Sequence, residues 1–548
     1  MQKTQKKWIW VFLCLMVLSV IFSACGGENN LTSQETTYNS DPNTLNIVAG
    51  SEQKTILENI VLPWCKSQGL TCNYKSEGSV DQARDLKTGN TPADAYWFAS
   101  SIFQQLGDIK GQLKDVRNMF ISPLVYAGWK SEMQKLGFVG RDDISISEIL
   151  DAVQNHKTNA RLTNPTQSNS GASIYLAFLS HFAGNGPESP LTMEQLNSSK
   201  VSDGITKFVR ALDQTPPSTG TMMDECVTDK SCKTMFTYEA LVIEKNQELT
   251  KDRHEPLYAV YPKDSLAIAD SPLGFMPHKE NTPQKEQTFL KLQKYLLSSE
   301  GQNKVLKLGR RPANSGGLSL TNPDTTVFNP DWGIRSSLEQ QVMVYPRSEV
   351  IDTALNKYQT SYRQPTDMVY CLDGSGSMND NGGWDDLRKA TSTLFQQDIA
   401  SQYYLQAHPD DVTSVLIFDD KIENGSDGVT VKGNDSSQLK SLYDNLPDKS
   451  PGGGTDFYLC LIKATQLFKQ DGKKHFIILM TDGDNNGSTD RNDMENAVKA
   501  AGVPIISVPF GDDAKPDKLA EISSLVPGGL VVQKENLVAS LREATGYR

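Results

Sequence analysis

The stretch MVYCLDGSGSM, residues 368–378, changes character halfway along. The residues up to Leu372 form a short apolar run that suits a buried strand. Asp373, Gly374, Ser375, Gly376 and Ser377 then place one carboxylate and two hydroxyls among two glycines. Turns prefer these residue types. So do the oxygen-ligated sites of hard cations. The stretch alone serves both readings, and the rest of the chain separates them.

Around it the pattern alternates. Apolar strands are expected at 368–372, 412–418, 475–481, 505–510 and 530–533, with helices at 384–404, 456–468, 491–501, 515–524 and 535–545. Apolar strands separated by amphipathic helices make a mostly parallel, doubly wound α/β sheet covered on both faces. Ligands of such sheets sit at the carboxyl ends of the strands. Asp373 to Ser377 follow the first strand. Gly452-Gly453-Gly454-Thr455-Asp456 opens a helix, and Met480-Thr481-Asp482-Gly483 closes the strand expected beside the first.

Three loops thus bring Asp373, Ser375, Ser377, Thr455 and Asp482 to one edge. The set resembles the metal-ion-dependent adhesion site of the von Willebrand factor type A domain at every position. The resemblance implies bound Mg²⁺ (or Mn²⁺ or Ca²⁺), held directly by the serines and largely through water by the aspartates. It also implies a protein partner whose exposed Asp or Glu completes the coordination shell. Mg²⁺ takes six hard oxygens and keeps several waters, which suits hydroxyls and few carboxylates. A rival loop runs from Asp482 to Asp493 in EF-hand spacing, but a strand precedes it and its twelfth position is Asp rather than Glu. The chain has no GxSxG and no HExxH motif, so recognition rather than catalysis is expected and no catalytic residue is assigned.

Upstream, strands are expected at 45–49, 71–75, 95–98 and 124–129, with a helix at 174–182 after Asn164-Pro165-Thr166-Gln167-Ser168-Asn169-Ser170-Gly171. Free N–H groups and hydroxyls at such a helix start serve either capping or a polar or anionic ligand. The segments NIVAGSEQKTI, NPTQSNSGASIYLAFL, FTYEALVI and FLKLQKYLLSSEGQNKVL resemble an extracellular solute-binding protein of ABC importers, the two-lobed type 2 periplasmic-binding fold, over residues 45–315. By that analogy Ser51, Ser79, Ser100 and Ser170 lie near an interlobe cleft for a small polar or anionic solute. A connecting segment with one helix, 348–362, covers 316–364, and the C-terminal domain takes 365–548.

The N-terminus bears on location. Lys3, Lys6 and Lys7 precede an apolar run from Trp8 to Phe22 that is short for a membrane span. Phe22-Ser23-Ala24-Cys25-Gly26 resembles a bacterial lipobox, which implies a signal at 1–24, lipidation of Cys25 and an extracytoplasmic, membrane-anchored chain. Residues 25–44 read as a polar tether. Six further cysteines fit an oxidising compartment: Cys65 with Cys72 and Cys226 with Cys232 are spaced as local disulfide clasps, while Cys371 and Cys460 are a third pair or two buried thiols.

Charge excludes one partner class. Residues 363–548 hold 18 Lys+Arg against 28 Asp+Glu, so most of the net −12 lies there. An acidic domain repels nucleic acid and accumulates divalent cations. The expected function is metal-dependent adhesion by the C-terminal domain on a solute-binding-like carrier. The alternative is an importer's receptor with the C-terminal domain as a docking accessory.

Overall fold

The computed structural model describes residues 39–546 except 90, 229–231, 280–282, 314–317, 381, 470, 511–513 and 533–536. The expected signal, Cys25 and most of the tether lie outside the described residues. Among the described residues no helix is long and apolar enough to cross a membrane.

The chain first builds two lobes. One holds a five-stranded sheet in the order Thr71–Ser76, Thr44–Ala49, Ala95–Trp97, Pro272–Phe275, Lys114–Asn118. The first three strands are parallel, and Pro272–Phe275 is antiparallel to both of its neighbours. Side-chain alternation decides its faces: Leu45, Ile47 and Ala49 enter one core and Val48 the other. The second lobe is organised on Phe120–Trp129, which pairs with Thr234–Tyr238, Leu257–Val260, Ile268–Ala269 and Arg311–Pro312. The chain crosses between lobes after Asn118, returns before Pro272 and crosses again before Arg311. Such crossings are where two-lobed proteins hinge.

Disulfides join Cys65 to Cys72 and Cys226 to Cys232, and a third joins Cys371 to Cys460. The connecting helix Ser348–Lys357 ends in a wider, π-helical turn at Tyr358–Tyr362. It packs on the second lobe, where the Tyr175 hydroxyl donates to the carbonyl of Ala354 at 2.7 Å. At its end Arg363 is fully buried and donates to Asp411 at 3.0 Å, and Asp411 also accepts from the backbone of Thr366 and His408.

The C-terminal sheet has six strands in the order Val429–Lys432, Val412–Phe418, Thr366–Asp373, Lys474–Thr481, Ile505–Pro509, Leu530–Val531. All pairs are parallel except the one that adds the edge strand Val429–Lys432. Met368, Tyr370 and Leu372 point into one core while Val369 and Cys371 point into the other, so both faces are covered. The helix expected over 384–404 is instead two, Gly383–Phe395 and Gln397–Ser401. Gln396 is extended between them, and its amide bonds back to the Ser392 hydroxyl at 2.6 Å.

Candidate functional site

Because Thr366–Asp373 is flanked by parallel neighbours, their carboxyl ends open on one edge. Asp373 is fully buried there, accepting from the backbone N–H of Ser375 at 2.8 Å and from the Thr481 hydroxyl at 2.5 Å. The hydroxyls of Ser375 and Ser377 are 3.0 Å apart. The glycine segment closes over them: Gly376 donates to the Gly453 carbonyl at 3.1 Å and Gly452 to the Gly374 carbonyl at 2.9 Å. Gly453 has φ +95°, and a Cβ there would lie 2.8 Å from an Asp419 oxygen, so only glycine fits. Thr455 is tied to the third loop, its N–H donating to Asn486 Oδ1 at 2.7 Å.

Burial above all pushes Asp373 up to about 6, and the charge of Asp482 adds to this. A buried carboxylate beside two hydroxyls is the kind of hard-oxygen chemistry that divalent cations take. Among the described residues no three His, Cys, Asp or Glu side chains cluster as a metal site. The EF-hand-like loop has its side chains committed elsewhere. Asp484 pairs with Lys515 and Lys518, Asn485 and Asn486 accept from the backbone of Tyr458 and Thr455, and Asp490 caps the helix Arg491–Ala501.

A second site lies between the lobes, a cavity of about 470 Å³. Ser51 and Ser79 line it. Ser100 and Ser170 do not: Ser100 caps the helix Ser101–Gly107, and Ser170 is fully buried among Thr163, Ser168 and Thr219. The lobes touch at its rim, where Gly220 of the second donates to the Ser51 hydroxyl at 3.2 Å. A larger surface groove, about 730 Å³ along 320–337, shares no lining residue with the cleft.

Residues 45–311 match the bacterial extracellular solute-binding protein family, and residues 367–544 match the von Willebrand factor type A domain. The chain thus carries a segment similar to bacterial solute-binding proteins followed by one similar to the type A domain. Solved structures similar to it include the sulfate-binding protein SubI from Mycobacterium tuberculosis H37Rv (16% identity, 50% of this chain and 88% of that chain, TM-score 0.38). AfuA from Actinobacillus pleuropneumoniae, solved with fructose-6-phosphate, is 14% identical over 57% of this chain and 97% of that one, with TM-score 0.41. A periplasmic thiamin binding protein is 10% identical over 58% and 95%, with TM-score 0.43. No curated protein matches the chain.

Sequence reasoning missed Thr481, although it directly precedes Asp482, because a strand-terminal Thr reads as sheet packing. It also missed Ser450, whose hydroxyl lies 2.6 Å from the Gly374 carbonyl and 2.5 Å from that of Ser375 and so holds the type A loop from below. In the solute-binding domain it missed Glu52, Asp81 and Gln167, which line the cleft. From the type A domain it missed Arg542, which no local signal marks.

Proposed function

We propose that the chain is a lipid-anchored binding protein at the extracytoplasmic face, in which the type A domain recognises a protein partner through a divalent cation. The observation that carries this reading is the convergence of Asp373, Ser375, Ser377, Thr455 and Asp482 from three loops at one sheet edge. Thr481 holds Asp373, the Ser375 and Ser377 hydroxyls lie 3.0 Å apart, and Thr455 and Asp482 would complete the set. A cation such as Mg²⁺ held there would offer an open position to a partner's Asp or Glu. The disulfides support an oxidising compartment. Capture of extracellular proteins by the full chain, with Mg²⁺ and with EDTA, tests the reading: the partner should be retained only with the cation. Equal retention in EDTA would refute it.

A second reading, an importer's solute receptor, is favoured by the cavity between the lobes. For the anchor, Cys25→Ser is expected to release the protein from membranes, because multiple acyl chains hold firmly where one does not. Fractionation after a high-salt wash checks it, and a mutant that still sediments contradicts the lipobox.

A further inference from the structure

The cleft carries chemistry that solute binding in general does not specify. Glu52 is only 8% exposed, lines the cavity, and its Oε1 has no hydrogen-bond partner among the described residues. Glu77 also lines the cavity with an unpartnered Oε1, while its other oxygen lies 3.2 Å from Lys75. Buried acceptors without donors cost stability, and a donor-bearing ligand removes that cost.

One helix end argues in the same direction. Helix N-termini attract anions. Asp81 stands in the first turn of Ser79–Thr88, so that end carries a carboxylate already, whereas Asn169–Ala183 of the second lobe has no acidic residue in its first turn. An oxyanion on the first-lobe side of the cleft would meet like charge.

What Asp81 does accept is guanidinium. Arg84 approaches it at 2.6 Å, and Arg542 of the type A domain places Nε at 2.8 Å, an ion-pair contact without hydrogen-bond alignment. Arg542 is 2% exposed. Its Nη2 donates to the Thr166 carbonyl of the second lobe and its Nη1 to the Tyr403 carbonyl of its own domain. Gln167 donates in turn to the Arg542 carbonyl at 2.6 Å. One guanidinium therefore reaches both lobes at the cleft.

We propose that the cleft is a site for a small solute bearing an ammonium or guanidinium group, and that Arg542 occupies its mouth in competition with that solute. The proposal rests on the solute-receptor reading and is independent of the metal. Burial pushes Glu52 up to about 7, and burial with the neighbouring Glu77 pushes Asp85 well up, so a cation in the cleft would stabilise their charged forms. Arg310 faces Glu52 from beneath, donating to its backbone carbonyl, and its charge offsets burial only in part. A solute that competes with Arg542 binds with an apparent affinity reduced by the fraction of time Arg542 is withdrawn.

Isothermal titration of the full chain with agmatine, sulfate and fructose tests this. Arg542→Ala should bind agmatine roughly tenfold or more tightly than the unmodified chain, and Glu52→Gln should lose that binding. Sulfate and fructose should give no heat. Agmatine affinity unchanged by Arg542→Ala, or unchanged by Glu52→Gln, overturns the proposal. Sulfate or fructose binding with agmatine silent also overturns it but leaves the solute-receptor reading standing, whereas silence from all three removes support from both. Should Arg542→Ala fail to fold, thermal melts of the unmodified chain and Glu52→Gln with agmatine decide. A shift confined to the unmodified chain supports the proposal; equal shifts, or none, overturn it.

Discussion

Asp373 and Glu52 are both buried carboxyls, and their predicted behaviour differs with what surrounds them. With Mg²⁺ at ~100 times its dissociation constant the native state should gain roughly 2.7 kcal/mol. Asp373→Ala should lose most of that gain, read as the Tm difference of the full chain between Mg²⁺ and EDTA. Glu52 responds to protons instead. Its value of about 7 in the folded chain stands above the usual 4.5, so the unfolded chain ionises first. Between about pH 4.5 and 7 the unfolded state binds fewer protons, and stability falls as pH rises. Glu52→Gln should flatten that slope and add on the order of 1–3 kcal/mol above pH 7, measured by urea unfolding across pH. Asp373 was legible in the sequence because Ser375 and Ser377 sit two and four residues away, directly after a strand. Glu52 was not, because its burial depends on residues such as Arg310, supplied from far along the chain.

Elements were legible where their periodicity was strong. The five parallel strands of the type A domain and the helix Arg491–Ala501 lie where apolar runs and helical periodicity put them. The antiparallel edge strand Val429–Lys432 was not, since only Val431 of its four residues is buried and no apolar run announces it. The pairing of Cys371 with Cys460 was left open because 89 residues separate them. It ties the strand that ends in Asp373 to the helix that begins just after Thr455. Replacing both cysteines with alanine should cost about 2–4 kcal/mol, checked by chemical denaturation. Non-reducing peptide mapping should recover the linked peptides.

At the scale of the whole molecule, the change in pattern near residue 364 falls between the two matched segments, but nothing in the pattern foretold how they pack. Lys87 pairs with Asp352, Gln359 donates to the Gln406 carbonyl, and Arg84 stacks on the Tyr403 ring. Polar contacts of this kind leave no periodic trace. The buried Arg363–Asp411 pair fixes where the connecting helix enters the C-terminal sheet. Asp411→Ala strands the guanidinium and should cost about 3–5 kcal/mol, with an equilibrium urea melt as the measurement. The reach of Arg542 into the cleft also bears on the order of assembly. Gln167 and Arg542 are 375 residues apart. Domains fold as units, N-terminal first, in a chain emerging from that end. Both lobes can therefore close on each other before their last contact exists, and contacts of such separation form slowly. In refolding, burial of the lobe cores should precede docking of the helix Leu537–Gly546, so a nascent solute-binding domain has an interval in which its cleft is open to whatever the surroundings contain.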